Sequence, residues 1–329
     1  MLHSIEKVQQ LITAGRRLLL AGSSEALSQL PAGQWIGGSI CYFMDQEGGV
    51  CTEDRIFVTE LPNSVTGMVI CNYEAHELQK LYDDAPENGF TFLLIPADAP
   101  FVEVFATDGP HCEGFLLKPM VGWVTGVPLA EIGKTKATVV DGRTHESSSG
   151  KALAMHVSLS PDVVAELNIV NIFKPSDGDT ITFPESTFCA GDCLVNGMAT
   201  NLAEYVCRRS IDTRLPLTAD YCGSIVNVAL KSVDMQARTV SFYGSVVAGV
   251  EYRFAAPVQD YAESFAKSIP QGPEAEFSCN CILNYLYGEL DGKRTGSAIG
   301  PVTFGEIAHL LLSQTLVQLR IHQIGGTIS

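Results

Sequence analysis

Basic side chains are scarce in this sequence. Its 329 residues include 21 Lys and Arg against 37 Asp and Glu, a formal net charge of −16. A field of that sign repels phosphate backbones and anionic lipid headgroups. The densest basic groups are adjacent pairs at 16–17, 208–209 and 293–294, not the basic stripe that nucleic-acid binding needs. The sequence therefore predicts no nucleic-acid partner.

Long apolar runs are also lacking. No stretch approaches the roughly 18 residues of a membrane-spanning helix. Arg16-Arg17 precedes the apolar run Leu18-Leu19-Leu20-Ala21-Gly22, which is shorter than the roughly 7–15 residues of an export signal. We therefore expect no membrane partner and a cytoplasmic location. In that compartment the ten cysteines are expected to be reduced thiols, mostly buried.

The common nucleotide-binding and hydrolase motifs are missing. Gly288 and Gly292 are separated by three residues, whereas a phosphate-binding loop needs four, and Arg294 stands where that loop has Ser or Thr. The run 37–41 (GGSIC) lacks the last glycine of a nucleophile elbow. No Gly-x-Gly-x-x-Gly follows a predicted strand. The sequence therefore predicts no cofactor and no catalytic residue of these classes.

Two cysteine pairs have spacings that suggest metal binding. Cys279 and Cys281 share one face if they lie on a strand, and Cys189 and Cys193 are four residues apart. A structural zinc site needs two such pairs that converge. Buried thiols in a core strand are the simpler interpretation, so no zinc site is predicted.

Glu306 and His309 have the i, i+3 spacing of a carboxylate–histidine metal pair on a helix. Such sites need a second copy and further carboxylates, and the chain has no other Glu-x-x-His. We therefore predict no metal ion here. A thiol nucleophile at Cys279 with His309 as its base stays open, because sequence shows neither the thiol pKa nor the distance.

Apolar periodicity and capping residues predict both helices and strands. Hydrophobic residues make up 46% and charged residues 18% of the chain, an ordinary globular balance. The predicted helices cover 4–20, 24–30, 72–83, 201–209, 257–269 and 305–313, with another start at 160–162, and the predicted strands include 34–44, 55–60, 92–95, 134–140, 151–159, 224–232, 238–247, 276–287 and 317–322.

This order of elements predicts an α+β fold with mixed or mostly antiparallel sheets and helices packed outside them. A layered α/β arrangement is the alternative. The mixed loop 210–222 suggests a boundary between two domains, 1–215 and 216–329.

The C-terminal part carries an ordered set of motifs. A segment with Cys279 and Asn280 (FSCNC, 277–281) is followed by a glycine-rich loop, the run 300–307 (GPVTFGEI) and then 315–317 (TLV). This order resembles the C-terminal half of the FIST sensory domain, which has a cysteine-containing strand, a Gly-Glu-Ile-like turn and a Thr-Leu-Val-like final strand. Two departures are Ile282-Leu283-Asn284, where the family usually has an arginine, and Pro301.

The N-terminal part is similar to the other half of that family, more loosely. The matching runs are 36–39 (IGGS), 121–126 (VGWVTG) and 196–199 (NGMA). Together the similar segments cover about residues 30–322. The resemblance assigns a FIST N-terminal-like domain with a leading helix to 1–215 and a C-terminal-like domain to 216–329.

The resemblance implies a cytosolic sensor that binds a small molecule, such as an amino-acid-like metabolite, and has no catalytic activity. A signalling protein that receives the response is implied too, and a homo-oligomer stays open. The residues implied in ligand binding are Gly305, Glu306, Cys279, Asn280, Trp123, Gly122, Ser39 and Asn196.

Simpler structural roles stand beside these assignments. Glu306 is interpreted either as a first-turn acid on a surface helix or as a group that holds an ammonium ion. Trp123 fits a core position, and Asn196 fits a turn. The alternative function is a thiol-dependent or metal-assisted enzyme.

Overall fold

The computed structural model describes residues 1–221 and 223–324. It has 18% helix and 42% strand in several mixed sheets, which confirms the predicted α+β fold. The helices are α1 (Ile5–Thr13), α2 (Ser24–Ser28), α3 (Leu78–Asp83), α4 (Phe101–Asp108), α5 (Leu202–Arg208), α6 (Tyr261–Ser268) and α7 (Ile282–Tyr287), with 3-10 turns at Ala75–Glu77, Gly109–His111 and Leu129–Glu131. Among these residues, no helix has the length and apolar character needed to span a membrane.

The strands fall into four stretches of the chain. Residues 1–60 form β1 (Leu2–Ser4), β2 (Leu18–Gly22), β3 (Trp35–Ser39), β4 (Tyr42–Asp45), β5 (Gly48–Cys51) and β6 (Arg55–Glu60). Residues 65–170 form β7 (Val65–Tyr73), β8 (Gly89–Pro96), β9 (Met120–Thr125), β10 (Val139–Asp141), β11 (Glu146–Ser148), β12 (Ala152–Leu159) and β13 (Val163–Val170). Residues 181–254 form β14 (Ile181–Thr182), β15 (Thr187–Ala190), β16 (Asp192–Val195), β17 (Met198–Asn201), β18 (Leu217–Tyr221), β19 (Ser224–Val228), β20 (Leu230–Asp234), β21 (Thr239–Val246) and β22 (Arg253–Phe254). The remaining strands are β23 (Phe277–Cys281), β24 (Gly300–Thr303), β25 (Glu306–Ala308), β26 (Leu310–Leu312) and β27 (Leu316–Gln323).

Three six-stranded sheets form the main body. Sheet 1 has the order β1-β6-β2-β3-β10-β11, sheet 2 the order β26-β25-β9-β8-β12-β7, and sheet 3 the order β13-β27-β23-β24-β4-β5. The pairs β2–β3, β8–β9 and β23–β24 are parallel, and most other neighbours are antiparallel. Sheets 2 and 3 each combine strands from before residue 171 with strands from after residue 275.

The central strand β8 is buried on both faces. Along β8, Phe92 and Leu94 belong to the core between the sheets, which we call the central core. Leu93 and Ile95 project to the opposite face and pack in a second core with α3 and α4, the outer core. Successive side chains on a strand point to opposite faces, so the continuous apolar run reflects two packed faces. Helices α3 and α4 lie outside the sheets, as predicted, whereas α6 and α7 contribute side chains to the central core.

Residues 181–254 form a unit with its own core. This unit has three sheets of three strands and a separate set of buried side chains that includes Leu202 and Leu217. Strand β15 pairs with β21, so the predicted boundary at 215/216 falls inside this unit. The boundary was predicted because residues 210–222 have the composition of a loop. A loop that connects two strands of one unit has the same composition as a linker between domains, so composition does not distinguish them.

The first predicted helix is too long. It begins as expected, with the hydroxyl of Ser4 accepting from the backbone N–H of Lys7. Helix α1 ends at Thr13, and Gly15 follows with φ of 74°. Leu18–Gly22 is instead the fully buried strand β2, because its apolar side chains face both the central core and the helices α1 and α2.

Two other predicted helices are strands. The Ser160-Pro161-Asp162 start forms a turn, and the following β13 pairs with β27 over its whole length. Residues 305–313 form the hairpin β25–β26, with His309 at its turn and a φ of 57° that a right-handed helix does not allow. The last strand, predicted at 317–322, is confirmed as β27.

Candidate functional site

Glu306 lies on strand β25 inside the central core. It is directly opposite Trp123 of β9 in an antiparallel pair, so the two side chains project to the same face. The exposed fraction of Glu306 is 0%. The predicted position on a surface helix is therefore wrong, because strand pairing turns this side chain away from solvent.

The two oxygens of the Glu306 carboxylate differ in their partners. Oε1 accepts hydrogen bonds from the backbone N–H of Thr315 at 2.8 Å and from its hydroxyl at 2.7 Å. Oε2 is buried and has no hydrogen-bond partner among the described residues. Burial raises the pKa of Glu306 from 4.5 to about 7, although the hydrogen bonds from Thr315, and next the thiol of Cys281, oppose this rise.

Two cysteines of β23 lie beside this carboxylate. Cys279 and Cys281 are both buried and share the face of β23 that packs in the central core. The Cys279 thiol is 3.5 Å from the carbonyl oxygen of Gly122. Burial, and next the negative charge of Glu306, raise the pKa of both thiols well above the ordinary value. Both are therefore protonated thiols at neutral pH, not thiolates that attack a substrate or ligate zinc.

Asn280 projects from the opposite face of β23. Its Oδ1 accepts from the backbone N–H of Cys281 at 2.8 Å and from Asn284 Nδ2 at 3.0 Å. Asn280 Nδ2 and Asn284 Oδ1 are buried without a partner in the described structure. The hydroxyl of Thr303 lies 3.3 Å from the carbonyl oxygen of Asn280 and 3.2 Å from that of Gly305. This hydroxyl links the two backbone segments of the site.

Trp123 packs between β3 and β23. Its ring stacks on Phe277, with ring centroids 5.7 Å apart, and its indole nitrogen has no partner among the described residues. A Cβ atom on Gly38 would lie 3.0 Å from that nitrogen. The glycine therefore lets the indole approach the backbone of β3 closely.

Gly122 and Ser39 have structural roles. Gly122 cannot be replaced by a larger residue, and the Ser39 hydroxyl is already hydrogen-bonded within the protein. A Cβ atom on Gly122 would lie 1.9 Å from the carbonyl oxygen of Leu93, so only glycine fits. The Ser39 hydroxyl donates to the carbonyl of Gly126 at 2.9 Å and accepts from the N–H of Thr138 at 2.8 Å. Its hydrogen-bonding capacity is largely used by the protein itself.

Seven of the eight predicted residues thus lie around β9, β23 and β25. Gly305 joins them through its carbonyl, which accepts from the N–H of Val124 at 2.8 Å. The eighth, Asn196, lies apart in the turn between β16 and β17, with φ of 50°. Its side chain accepts from the N–H of Thr180 at 3.0 Å, so the simple interpretation as a turn residue describes its position.

Sequence reasoning did not select three residues that complete this site. Thr315 appeared only as the start of the 315–317 motif, Cys281 only as half of a thiol pair, and Asn284 only as the replacement for an arginine. All three are buried, and Thr315 and Asn284 are polar residues next to apolar runs. For these two, that contrast was the available signal.

Two surface clefts lie elsewhere, on the unit of residues 181–254. Their volumes are about 590 and 650 Å³, and they share Pro184, Asp192, Asn201 and Arg238 as lining residues. None of the eight predicted residues lines either cleft.

Comparison with protein families matches residues 3–322 to one family model, described as a family of unknown function (DUF6976). No curated protein matches the chain. The FIST resemblance is tested by neither result and stays a prediction.

Proposed function

We propose that this chain, which belongs to the DUF6976 family, is a non-catalytic sensor that binds a small polar molecule at Glu306. The observation that supports this function most is the unpartnered oxygen of a fully buried carboxylate. A buried polar atom without a partner costs about 1–3 kcal/mol, and more when it is charged. A ligand that donates a hydrogen bond to this oxygen removes that cost.

The chemistry of the site favours an amino-acid-like ligand. No ion pair among the described residues includes Glu306, so the protein supplies no countercharge. An ammonium group is a suitable partner for Oε2. Trp123 Nε1, an unpartnered donor among the described residues from the residue directly opposite Glu306, suits an acceptor atom of the same class of molecule.

Access to Glu306 involves the β25–β26 hairpin. Strand β26 is the edge strand of sheet 2, and β25 pairs on its other side with β9. Displacement of this hairpin exposes Glu306 without breaking the remaining pairs of the sheet. We propose that ligand binding changes the position of the hairpin, and that a separate cytoplasmic signalling protein detects this change.

The buried thiols support binding over catalysis. A nucleophilic cysteine needs a low pKa and a base within reach, whereas burial raises the pKa of Cys279 and Cys281. His309 lies at the turn of the hairpin. Because Glu306 and His309 are separated along a strand, they do not have the i, i+3 spacing on a helix that was expected from the sequence.

A thermal-shift screen tests this function. Amino acids, amines and organic acids are added at millimolar concentration to the wild-type protein and to Glu306→Gln. A true ligand stabilises by about 2.7 kcal/mol at a concentration about 100-fold above its Kd. We expect amine-containing compounds to raise the Tm of the wild-type protein and to lose most of that effect in Glu306→Gln.

Glu276→Gln is the matched control. Glu276 is half-buried, its pKa is also raised by burial, and its Oε2 accepts from the N–H of Ile321 at 2.8 Å. This variant and Asn196→Ala should respond to ligand like the wild-type protein. A panel in which no compound shifts the wild-type Tm, or in which the shift persists in Glu306→Gln, contradicts the proposed function.

A further inference from the structure

A group of three metal-ligating side chains lies outside the Glu306 site, on the outer-core face of sheet 2. Cys71 Sγ, a carboxylate oxygen of Asp84 and a ring nitrogen of His156 all lie within 4.8 Å of one another. Cys71 is half-buried, Asp84 is exposed and His156 is buried. The group is therefore anchored in the protein and open to solvent on one side.

Strand register brings these side chains together. Cys71 of β7 is opposite Ala154 of β12, and residues two apart on a strand share a face, so His156 is its diagonal neighbour. Asp84 follows the last residue of α3, which packs on the same face. The three residues do not form a local sequence motif, so the sequence alone does not predict the group.

His156 is oriented as metal-binding histidines are. Its Nδ1 is 2.8 Å from the hydroxyl of Thr91, and its Nε2 is 2.7 Å from the hydroxyl of Tyr73. Nε2 is the ring nitrogen on the side of Asp84, to which the Tyr73 hydroxyl connects it. A hydrogen bond at the other nitrogen fixes the ring, as second-shell partners do in metal sites.

We propose that Cys71 Sγ, Asp84 and His156 Nε2 bind a divalent zinc-class metal ion, with the hydroxyl of Tyr73 as the fourth group facing it. Sulfur, nitrogen and carboxylate oxygen together are a ligand set typical of zinc. Binding releases the thiol proton of Cys71 to solvent and forms the metal–sulfur bond.

The spacing is compatible with an ion after small movements. Ligand atoms around a tetrahedral zinc ion are about 3.3–3.8 Å apart, given metal–ligand distances of about 2.0–2.3 Å. The Tyr73 hydroxyl already lies 2.7 Å from His156 Nε2 and donates to Asp84 Oδ2 at 2.8 Å. Since this hydroxyl donates its proton to Asp84, its oxygen accepts from His156 Nε2–H when no ion is bound. When an ion binds, the ring proton moves to Nδ1, which then donates to the Thr91 hydroxyl, so the ring loses no proton and Nε2 is free for the ion. The partly accessible Cys71 and Asp84 side chains move inward.

Lys80 competes with the ion. Its ammonium group donates to Asp84 Oδ2 and forms an ion pair with it. This lysine is on the exposed side of the site, so it can turn to solvent when the ion arrives. Its presence also keeps Asp84 paired when no ion is bound.

The test is metal binding by the full-length protein after chelator treatment and removal of any tag. Zn²⁺ affinity is measured by competition with a chromophoric chelator, and Co²⁺ is added to observe a thiolate-to-metal absorption band. We expect a single ion per chain, a band in the wild-type spectrum and a rise in Tm with Zn²⁺. Cys71→Ser should abolish the band and weaken Zn²⁺ binding by at least about 10–100-fold.

Cys112→Ser is the matched control. Cys112 is another half-buried free thiol that packs against the outer core, and its loss should leave the band and the affinity unchanged. Asp84→Asn, at an exposed position, provides a second variant that does not depend on replacing a buried side chain, and it should weaken binding likewise. No binding by the wild-type protein at micromolar Zn²⁺, or equal binding by Cys71→Ser and the wild-type protein, overturns the proposal.

Discussion

Thr315 holds one oxygen of Glu306 with both its backbone N–H, at 2.8 Å, and its hydroxyl, at 2.7 Å. Thr315 immediately precedes β27, whereas Glu306 begins β25, so this contact joins sheets 2 and 3 inside the central core. It also fixes the carboxylate in one orientation. The second oxygen is left buried and without a partner in the described structure, and the proposed function depends on this asymmetry.

The first prediction concerns the pH dependence of stability. The folded-state pKa of Glu306, about 7, is above its ordinary value of 4.5, so folding favours the protonated form. The stability that this group contributes is therefore present below about pH 4.5 and is lost as the pH rises through about 7, a change on the order of 3 kcal/mol. Chemical denaturation at a series of pH values measures it.

Glu306→Gln isolates this contribution from those of other carboxylates. A glutamine resembles the protonated acid, and its oxygen can still accept from Thr315. The variant should become steadily more stable relative to the wild-type protein between about pH 4.5 and about pH 7. A constant difference across that interval is inconsistent with the raised pKa.

The second prediction concerns the hydroxyl of Thr315. Thr315→Val keeps the shape of the side chain but removes one of the two hydrogen bonds to the carboxylate. We expect a loss of about 1–2 kcal/mol in the free energy of unfolding and a further rise in the pKa of Glu306. Thr315→Ser retains the hydroxyl, so the pH range over which the contribution of Glu306 to stability is lost should not change. Identical pH profiles for the two variants argue against a role for the hydroxyl.

The third prediction concerns the glycine opposite Ile307. A methyl group at Gly122 meets the carbonyl oxygen of Leu93 at 1.9 Å, and a close-packed interior cannot relieve such a contact. Gly122→Ala should lose more than about 4 kcal/mol or fail to fold. Gly244→Ala, on strand β21 with nothing within 4 Å, should change stability by less than about 1 kcal/mol. Equal effects in thermal denaturation contradict the register of β9.

The fourth prediction concerns thiol reactivity. Brief iodoacetamide treatment at neutral pH should label the exposed Cys51, Cys189 and Cys207, and leave Cys279 and Cys281 unmodified until the protein is denatured. Burial removes both access and thiolate character from the last two. Peptide mass spectrometry distinguishes the sites. Rapid native labelling of Cys279 supports the alternative of a thiol-dependent enzyme instead.

Nine of the ten cysteines are free thiols, and Cys222 lies outside the described residues. Four of the nine are buried, two are half-buried and three are exposed. The expectation of reduced thiols agrees with these nine. The expectation that most are buried does not, because a small side chain is accommodated at a strand edge or an exposed helix position as readily as in a core.

Local sequence patterns predicted the helices and strands whose conformation does not depend on pairing with a distant strand. The alternation of Val317 and Leu319 with Gln318 predicted strand β27, and the N-cap at Asn201 predicted α5, where its side chain accepts from the N–H of Glu204 at 3.1 Å. The apolar run 305–313 fits a helix equally well by composition. Its form as a hairpin depends on pairing with β9, almost two hundred residues earlier in the chain.

The residues of the candidate site were predicted, but their proximity in the folded protein was not. The motifs around Trp123, Cys279 and Glu306 were selected separately, and only tertiary pairing shows that they meet. Core positions were among the interpretations of Trp123 and Cys279, but the complete burial of Glu306 was not predicted, because a glutamate is rarely buried without a charged partner. The ion-pair-free carboxylate is therefore the feature that sequence reasoning was least able to anticipate.

The most direct test of the proposed recognition by Glu306 is a measurement of proton release on ligand binding. Titration calorimetry of an amine ligand from the screen is performed at pH 7 in two buffers that differ in ionisation enthalpy. Because the pKa of Glu306 is about 7, pairing with an ammonium group should release about half a proton per ligand. The account predicts this release for the wild-type protein and for Glu276→Gln, and its loss, together with much weaker binding, in Glu306→Gln. Equal proton release and equal affinity in Glu306→Gln and the wild-type protein contradict it.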